Sequence, residues 1–600
     1  MPNENGTKGH RVTGYVSGIV VFLFFTLVFL AVNFSGRELS SFDDPGYHLA
    51  HALSYKEGWV WQNPVFSTLS LRPADLYVGY HQLLSLVYTS FGAESLDDLI
   101  VGTKVTHSIL SAFFFTLFFI VLRSMMLREE NRYHRIGYAA FIAVALLFFL
   151  SPQFTFRLIL YRPHIFSIIF VLLAFYCCVR RRYLLLAAVS FLVPFFYSIS
   201  FLVLVPPFVA VIAALWYELG TGGVFEKMRS TGSVAGAARV LVGKNLLEAN
   251  ARSRAACYSL LTACAGLIAG IIARPDSLNY LYNAYVVHLI AVFNFLFRHV
   301  SEGSELAPAT SGGIVSLAFM LSFVVVTFFY YIRIYELGIS RAISRERFFL
   351  FLLAQAFFVL MVVIGRAVEY AVPFVSLFMF VVIFNSILPF LKKVRNGDFR
   401  TRVQNPVTVE LLRAAQTLLD TAFGYRTILA RVLIVIGGFY FVTMALSMVF
   451  YIRIQPPRDA YQGAADFMRE HSSPGDLVFQ QRFDVFPRLV LFNHFNHYSA
   501  GMGNVFMYLY DTELYWLWQH VVNGEAACPT RLCVADSTVD PYEVIKERFN
   551  ARYIFIDATD RMGEYTIDNN QAFIDMVEND SRYRKVYTDP KYPLIGVYEL

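Results

Sequence analysis

Two adjacent carboxylates, Asp43 and Asp44, are the first residues of this chain that could do chemistry. They follow a long apolar segment directly and lie in the motif FDDPGYHLAHAL, where His48 is available to support them. Neighbouring like charges and partial burial raise the pKa of a carboxyl group, which suits one of the two to take a proton from a hydroxyl. Asp-Asp-Pro is also common N-cap chemistry, with either carboxylate capping a helix that begins at Pro45. Taken alone, the pair fits a helix cap better than a catalyst, but the two roles are compatible.

A cationic group is the second candidate. Arg157, Arg162 and His164 stand close together in TFRLILYRPHIF, between two apolar segments. The planar guanidinium matches the geometry of phosphate oxygens, and arginines are rare in loops on the outer side of a membrane. These residues therefore fit a phosphate-binding role, although side chains that reach towards lipid headgroups would give the same pattern.

Arg366 and Glu369 form a third candidate in VIGRAVEYAVPF, again between two strongly apolar segments. Residues three apart on a helix can form an ion pair, and ionisable groups at membrane depth commonly line a polar cavity. A structural pair fits this pattern better than a catalytic one. We assign Arg366 to phosphate binding and Glu369 to a supporting role.

The C-terminal part contributes polar residues of a different kind. Asp484 in FDVFP, and His497 and Tyr498 in NHFNHYSAGMGNVFMYLYD, are suited to recognising a sugar or an acceptor, although ordinary fold-forming contacts explain any one of them. No clear third ligand accompanies the histidines, so the sequence predicts no metal here. Cys528 and Cys533 can close a small disulfide loop in an oxidising compartment or remain reduced.

The elements that position these residues belong to a membrane protein. Hydrophobic residues make up 56% of the 600 residues and aromatic residues 17%, far outside the range of soluble proteins. A net charge of +6 could indicate nucleic acid, but the basic residues lie in short loops between apolar segments. We predict about eleven transmembrane helices, near 13–34, 103–122, 137–152, 164–179, 183–198, 199–217, 257–273, 311–332, 348–364, 371–391 and 430–451.

Lys and Arg concentrate in alternate loops, which predicts a cytoplasmic N-terminus and an outer C-terminal domain. The outer loop 35–102 is long and aromatic and suggests interfacial helices, as does 278–298. Simple anchoring by an aromatic belt explains most of these rings equally well. Residues 1–451 are thus predicted to form the transmembrane module, and 452–600 a soluble extracytoplasmic α/β domain. In this domain a predicted helix around 458–471 and the helix-like PYEVIKERF alternate with the strand-like segments LVFQQ, RYIFIDA, KVYTD and LIGVYEL.

This arrangement resembles the GT-C superfamily of integral-membrane glycosyltransferases. FDDPGYHLAHAL is similar to the acidic first-loop motif of its oligosaccharyltransferase-like members, and ILYRPH and GRAVEYAVPF are similar to segments of bacterial relatives without an assigned reaction. The chain departs from oligosaccharyltransferases in two ways. Residues 152–163 contain no Asp or Glu for a divalent metal, and the Trp-Trp-Asp motif for a peptide acceptor is absent. The resemblance therefore implies a metal-independent transferase without a cofactor, although a divalent metal is compatible with it.

The function that we expect is transfer of a sugar from a polyprenyl-phosphate or diphosphate donor, with inversion, at the outer face of the plasma (inner) membrane. Asp44 or Asp43 would be the general base. The alternatives are a ligase or oligosaccharyltransferase that moves a whole glycan, and a non-enzymatic flippase or partner in a glycan-assembly complex. Transporters usually carry ionisable groups inside their spans and need no outer α/β domain, which favours the enzyme. The expected partners are the lipid-linked donor and membrane lipid, not nucleic acid.

Overall fold

The computed structural model describes residues 4–37, 39, 43–126, 140, 144, 152–221, 251–290, 313–337, 344–389, 417, 426–453, 457–501, 503–558 and 567–600. Helices dominate up to residue 453. Their bounds are α1 Glu4–Asn33, α2 Asp43–Glu57, α3 Thr68–Leu71, α4 Val78–Ser90, α5 Leu96–Met126, α6 Pro152–Ile159, α7 His164–Arg180, α8 Tyr183–Phe196, α9 Val205–Thr221, α10 Ala251–Ile272, α11 Ser277–Leu281, α12 Gly313–Leu337, α13 Arg345–Val363, α14 Val368–Val382 and α15 Arg426–Arg453.

Four of the described helices are long and apolar enough to cross a membrane, namely Leu96–Met126, Ser253–Ile272, Arg345–Val363 and Gly365–Ile387. A fifth span is possible if α6 and α7, which meet at an angle of 116°, are one broken helix. Shorter apolar helices coincide with most of the other predicted spans. The predicted span 137–152 lies almost entirely outside the described residues, so a total of eleven remains a prediction.

Small residues let two of these helices pack closely. Helices α8 and α10 have the most extensive contact in the described part of the chain. At Gly266 and Gly270 of α10, the carbonyl oxygens of Ala187 and Phe191 approach so closely that a Cβ would collide with them. This is the small-xxx-small spacing that brings transmembrane helix backbones together.

The structure differs from the sequence prediction at the loop between the third and fourth predicted spans. Much of 152–163 is the helix Pro152–Ile159, not an extended connection. The sharp bend that follows, before α7 begins at His164, falls around Pro163, because proline disfavours helical backbone in the residue before it. The bend carries the second candidate group of residues.

The C-terminal part contains a five-stranded mixed sheet in the order β2-β1-β3-β5-β4. Its strands are β1 Leu477–Gln480, β2 His497–Tyr498, β3 Ala551–Asp557, β4 Arg584–Thr588 and β5 Ile595–Glu599. Strand β1 is parallel to β2 and β3, and β5 is antiparallel to β3 and β4. The predicted strands LVFQQ, RYIFIDA, KVYTD and LIGVYEL are therefore present.

Helices cover both faces of this sheet. Their bounds are α16 Gln462–His471, α17 Phe486–Phe492, α18 Asn504–Tyr510, α19 Thr512–Val522, α20 Pro541–Glu543 and α21 Ile567–Asn579. Phe479 and Ile554 face a core built with α19 and α21. Val478 and Phe555 face a core built with α16 and α17. The predicted helix 458–471 begins only at Gln462. Helices α18, α19 and α21 were not predicted. The sequence of α21 is rich in polar residues, whereas α18 and α19 are short apolar and aromatic segments whose type periodicity alone does not decide.

The second of these cores also joins the C-terminal part to the outer loop. Tyr47 and Ala50 of α2 are members of it. Gly46 lies against α17, where a Cβ would be 3.1 Å from the carbonyl oxygen of Pro487. Helix α2 is therefore held between α17 on one side and α4 on the other. Cys528 and Cys533, for which the sequence left two possibilities, are joined by a disulfide bond.

Candidate active site

Helix α2 begins at Asp43, two residues before the predicted start at Pro45. Helical spacing places Asp44, His48 and His51 on one face of α2, and Asp43 with Tyr47 and Ala50 on another. Tyr47 and Ala50 pack in the core shared with α16 and α17, whereas His48 contacts α4. The two neighbouring aspartates thus occupy positions on different faces of the same helix turn.

A buried chain of hydrogen bonds joins α2 to α4 on the His48 face. Nδ1 of His81 is 2.8 Å from Oδ2 of Asp75, and Nε2 of His81 is 2.8 Å from Nδ1 of His48. In the neutral tautomer whose Nδ1–H donates to Asp75, Nε2 of His81 accepts from Nδ1–H of His48. This assignment leaves Nε2 of His48 as a hydrogen-bond acceptor on the opposite edge of the ring.

Burial and charge set the protonation of these groups. Burial lowers the pKa of His48 well below its ordinary value, and the neighbouring His81 and His51 lower it further. Burial also lowers the pKa of His51. Burial alone would raise the pKa of Asp75, but His81 and His51 outweigh it, and the pKa of Asp75 lies below its ordinary value. The chain thus contains an ionised carboxylate and a neutral His48.

Arg274 holds the loop that carries Asp75. Its guanidinium is buried, pairs with Asp276 at 2.9 Å and donates to the backbone carbonyls of Asp75 and Pro194. The ring of Tyr280 lies 4.0 Å from the guanidinium carbon. One arginine therefore connects the outer loop, α8 and the segment after α10.

The bend between α6 and α7 gathers the cationic candidates. Arg157 lies near the end of α6, Arg162 lies in the turn, and His164 is the first residue of α7. Arg157 donates from Nε and a terminal nitrogen to the same oxygen of Glu369, at 2.8 and 2.7 Å. Nε2 of His164 is 2.9 Å from the carbonyl oxygen of Arg157. The sequence motif YRPH thus folds onto the motif GRAVEY.

Glu369 is the centre of this arrangement. It lies in the first turn of α14, its side chain is 1% exposed, and Nε of Arg366 is 3.9 Å from the oxygen that Arg157 also contacts. The ion pair between Arg366 and Glu369 that the sequence suggested is present, but Arg157 is the closer partner. The positive charge of Arg162 is also the smallest of the contributions that lower the pKa of His48.

The C-terminal candidates are less closely associated. Asp484 lies in a 3-10 turn that contacts α2 and pairs with Arg482, whose Nε is 2.9 Å from Oδ1. Tyr498 is buried, and its hydroxyl donates to the carbonyl oxygen of Asn493 at 2.7 Å. His497 lines a separate cleft of about 610 Å³ beside Arg552. Asp484 therefore lies in a turn that contacts α2, and Tyr498 belongs to the core that Tyr47 and Ala50 of α2 join.

His51, Asp75 and His81 were missed by the sequence analysis. The signal that could have identified the first was the spacing of His48 and His51, one helical turn apart in the quoted motif. Asp75 and His81 gave no comparable signal, because only the packing of α2 on α4 brings them to the same place.

This chain is similar to known proteins in its structure but not in its sequence. No family model matches this chain, and no curated protein matches it. The oligosaccharyltransferase of Archaeoglobus fulgidus in the apo form is similar in structure, with a TM-score of 0.53 and 12% identity over 90% of this chain and 69% of that one. The same enzyme tethered to an acceptor peptide with an NVT sequon matches with a TM-score of 0.53 and 12% identity, over 97% of this chain and 74% of that one.

This chain has the oligosaccharyltransferase fold. A further structure of the archaeal enzyme, AglB in complex with an inhibitory peptide and a dolichol-phosphate, matches with a TM-score of 0.52 and 12% identity, over 97% of this chain and 74% of that one. The GT-C-like architecture that the sequence motifs indicated is confirmed as a fold. With the oligosaccharyltransferase fold and its apolar helices, the chain is a multi-pass membrane protein.

Proposed function

We propose that this protein is a membrane glycosyltransferase that moves a sugar from a polyprenyl-phosphate or diphosphate donor to a lipid, glycan or protein acceptor. The observation that carries this proposal is the Arg157–Glu369–Arg366 cluster next to the bend before α7, which also carries Arg162. We infer that the carboxylate of Asp44 and these guanidiniums serve one reaction in an oligosaccharyltransferase fold.

In the proposed reaction, Asp44 or Asp43 accepts the proton of an acceptor hydroxyl as its oxygen attacks the anomeric carbon. The bond from that carbon to the phosphate oxygen breaks, and the phosphate leaves with the electron pair. Arg157, Arg162 and Arg366 stabilise the charge that develops on it, while His164 supports the position of Arg157. Glu369 orients Arg157, and attack from the opposite face inverts the anomeric carbon.

The proposed transfer needs no divalent cation on the phosphate side of this site. The oxygen of Glu369 that faces the cluster already accepts from Arg157, and the other charged groups around it are guanidiniums, which carry no lone pair for a metal. The proposed transfer therefore does not use a metal between Glu369 and the arginines.

The proposed location follows the distribution of positive charge. With a cytoplasmic N-terminus in the plasma (inner) membrane, α2 and the C-terminal sheet lie on the outer side. The disulfide between Cys528 and Cys533 supports an oxidising compartment for this part. Nucleotide sugars are cytoplasmic, so the donor on the outer side has to be carried by a lipid. Asp484, His497 and Tyr498 remain candidates for contact with the acceptor.

A second candidate is transfer of a whole glycan from a lipid diphosphate. The similar archaeal structures are oligosaccharyltransferases, one of them bound to a dolichol-phosphate, which favours this alternative. Comparing lipid-linked sugars and surface glycans with and without the gene tests both. Accumulation of a donor with one sugar supports the first proposal, and accumulation of a donor with a complete oligosaccharide supports the second. Donor retained only on the inner leaflet indicates flipping and contradicts both.

A further inference from the structure

The imidazole ring of His51 is buried and makes no hydrogen bond to any residue that the structure describes. Its side chain is 4% exposed, and neither Nδ1 nor Nε2 has a hydrogen-bond partner among the residues that the structure describes. Its ring lies between Trp61, at a centroid distance of 3.6 Å, and His81, at 4.4 Å. A buried polar group without a partner costs free energy, so two unpaired nitrogens on one ring require an explanation.

The ligand atoms around His51 suggest an explanation for its unpaired nitrogens. Nδ1 of His51 is 3.9 Å and Nδ1 of His81 is 2.8 Å from Oδ2 of Asp75. Ligand atoms from these three residues all lie within 4.8 Å of one another. Zinc bonds of about 2.0–2.2 Å place tetrahedral ligand atoms roughly 3.3 Å apart. Tetrahedral coordination would therefore require Nδ1 of His51 to move about 0.6 Å towards Oδ2 of Asp75, and Nδ1 of His81 to move about 0.5 Å away from it.

The surrounding residues already hold two of these ligands in place. Nδ1 of His48 contacts the far nitrogen of His81, and Asp75 accepts from the Tyr55 hydroxyl at 3.0 Å and from the Tyr77 amide at 2.9 Å. Partners of this kind orient metal-binding histidines and carboxylates in proteins. The sequence analysis did not predict these hydrogen-bond partners.

We propose that His51, Asp75 and His81 bind a divalent transition metal ion of the zinc class, which fastens α2 to α4. Two imidazoles and one carboxylate suit zinc better than magnesium or calcium, which take oxygen ligands. On binding, Nδ1 of His81 loses its proton to solvent and bonds to the ion. The proton between the two rings moves from Nδ1 of His48 to Nε2 of His81, which then donates to Nδ1 of His48. Nε2 of His48 takes up a proton from solvent, so both rings stay neutral and change tautomer.

This site is separate from the proposed transfer reaction. It lies one or two helical turns beyond Asp44 along α2 and includes none of the residues to which we assigned roles in transfer. Its function is to fix α2 and with it the outer loop. The proposal therefore stands or falls without regard to glycosyl transfer.

Cobalt binding tests the proposal directly. Purified full-length protein in detergent, kept under non-reducing conditions, is titrated with Co²⁺, and its visible ligand-field absorption and bound metal per chain are measured. We expect one Co²⁺ per chain, displaced by Zn²⁺, and at least a tenfold loss of affinity in His51→Gln and in His81→Gln. His471→Gln, at an exposed histidine, is the matched control and retains binding, as does the double variant Asp43→Asn/Asp44→Asn.

A thiolate variant keeps the test decisive if a glutamine variant does not fold. His51→Cys should retain the ion and add the intense sulfur-to-cobalt charge-transfer absorption, which only a coordinated thiolate produces. Absence of stoichiometric binding in the wild type, or equal binding in the His51→Gln/His81→Gln variant, overturns the proposal. Binding that instead disappears in His520→Gln places the ion at His520, beside the Cys528–Cys533 disulfide, and also overturns it.

Discussion

Arg157 donates two hydrogen bonds, of 2.8 and 2.7 Å, to one carboxylate oxygen of Glu369. The two residues lie 212 positions apart in the sequence. Both side chains are largely removed from solvent, at 12% and 1% exposure. The pair joins the end of α6 to the first turn of α14. Removing one partner of such a buried pair is more damaging than removing both, because the remaining charge is left uncompensated.

Glu369→Gln is therefore expected to destabilise the protein by about 3–5 kcal/mol, visible as a lower temperature of thermal unfolding in detergent. The double variant Arg157→Met/Glu369→Met, which removes both charges and keeps similar volume, should unfold near the wild-type temperature. If the proposed function is correct, both variants lose transfer, since Arg157 is absent or misplaced. A double variant that is as unstable as Glu369→Gln would contradict this view of the pair.

The two aspartates at the start of α2 should differ in their effect on transfer. Asp44 occupies the helical position on the face of His48, whereas Asp43 occupies the position on the face of Tyr47, which packs against the C-terminal part. We expect Asp44→Asn to lower the transfer rate by about 10²–10⁴-fold, the usual contribution of a general base, and Asp43→Asn to lower it by less than about tenfold. Donor turnover by equal amounts of folded protein is the measurement, and the reverse order would assign the base to Asp43.

Contact between Gly46 and Pro487 makes the attachment of the C-terminal part sensitive to one methyl group. A Cβ at position 46 would lie 3.1 Å from the Pro487 carbonyl oxygen, closer than the neighbouring backbone easily allows. Gly46→Ala should cost about 1–3 kcal/mol through overpacking. Gly437→Ala is the control, because a Cβ there meets nothing within 4 Å. Equal unfolding temperatures of the two variants would show that α17 moves freely to make room.

Helices α8 and α10 pack so closely that a single added methyl group should disturb their contact. A Cβ at Gly270 would collide with the backbone carbonyl of Phe191. Gly270→Ala should reduce the yield of folded, monodisperse protein in detergent, as measured by size-exclusion chromatography, because the helix backbones must separate. Gly437→Ala again provides the comparison. A wild-type elution profile for Gly270→Ala would mean that the two helices are not held at this distance.

Alkylation of the free thiols tests the disulfide between Cys528 and Cys533. The remaining four cysteines, Cys177, Cys178, Cys257 and Cys264, are unpaired. Protein denatured without a reductant should therefore take up four alkyl groups by mass spectrometry, and six after reduction. Six labels without reduction, in protein from cells with an intact secretory pathway, would place this loop in a reducing compartment and contradict the proposed orientation.

The sequence alone determined the features that depend on local pattern. Long apolar segments predicted membrane helices, alternation of apolar residues predicted most of the strands, and the spacing of Arg366 and Glu369 predicted their ion pair. These features follow from helix and strand periodicity and from the cost of placing polar groups in lipid. The resemblance to GT-C enzymes depended on short motifs and was enough to anticipate the fold, although the similar structures share only 12% of their residues with this chain.

Only the tertiary structure decided which distant residues meet. The choice of Arg157 over Arg366 as the closer partner of Glu369 depends on the 116° bend between α6 and α7, which no local pattern specifies. The contact of Asp75 with His81 and His51 likewise depends on how α2 packs against α4. Asp43 and Asp44, equivalent in the sequence, became distinguishable because a helix turns by about 100° per residue and its two faces meet different neighbours.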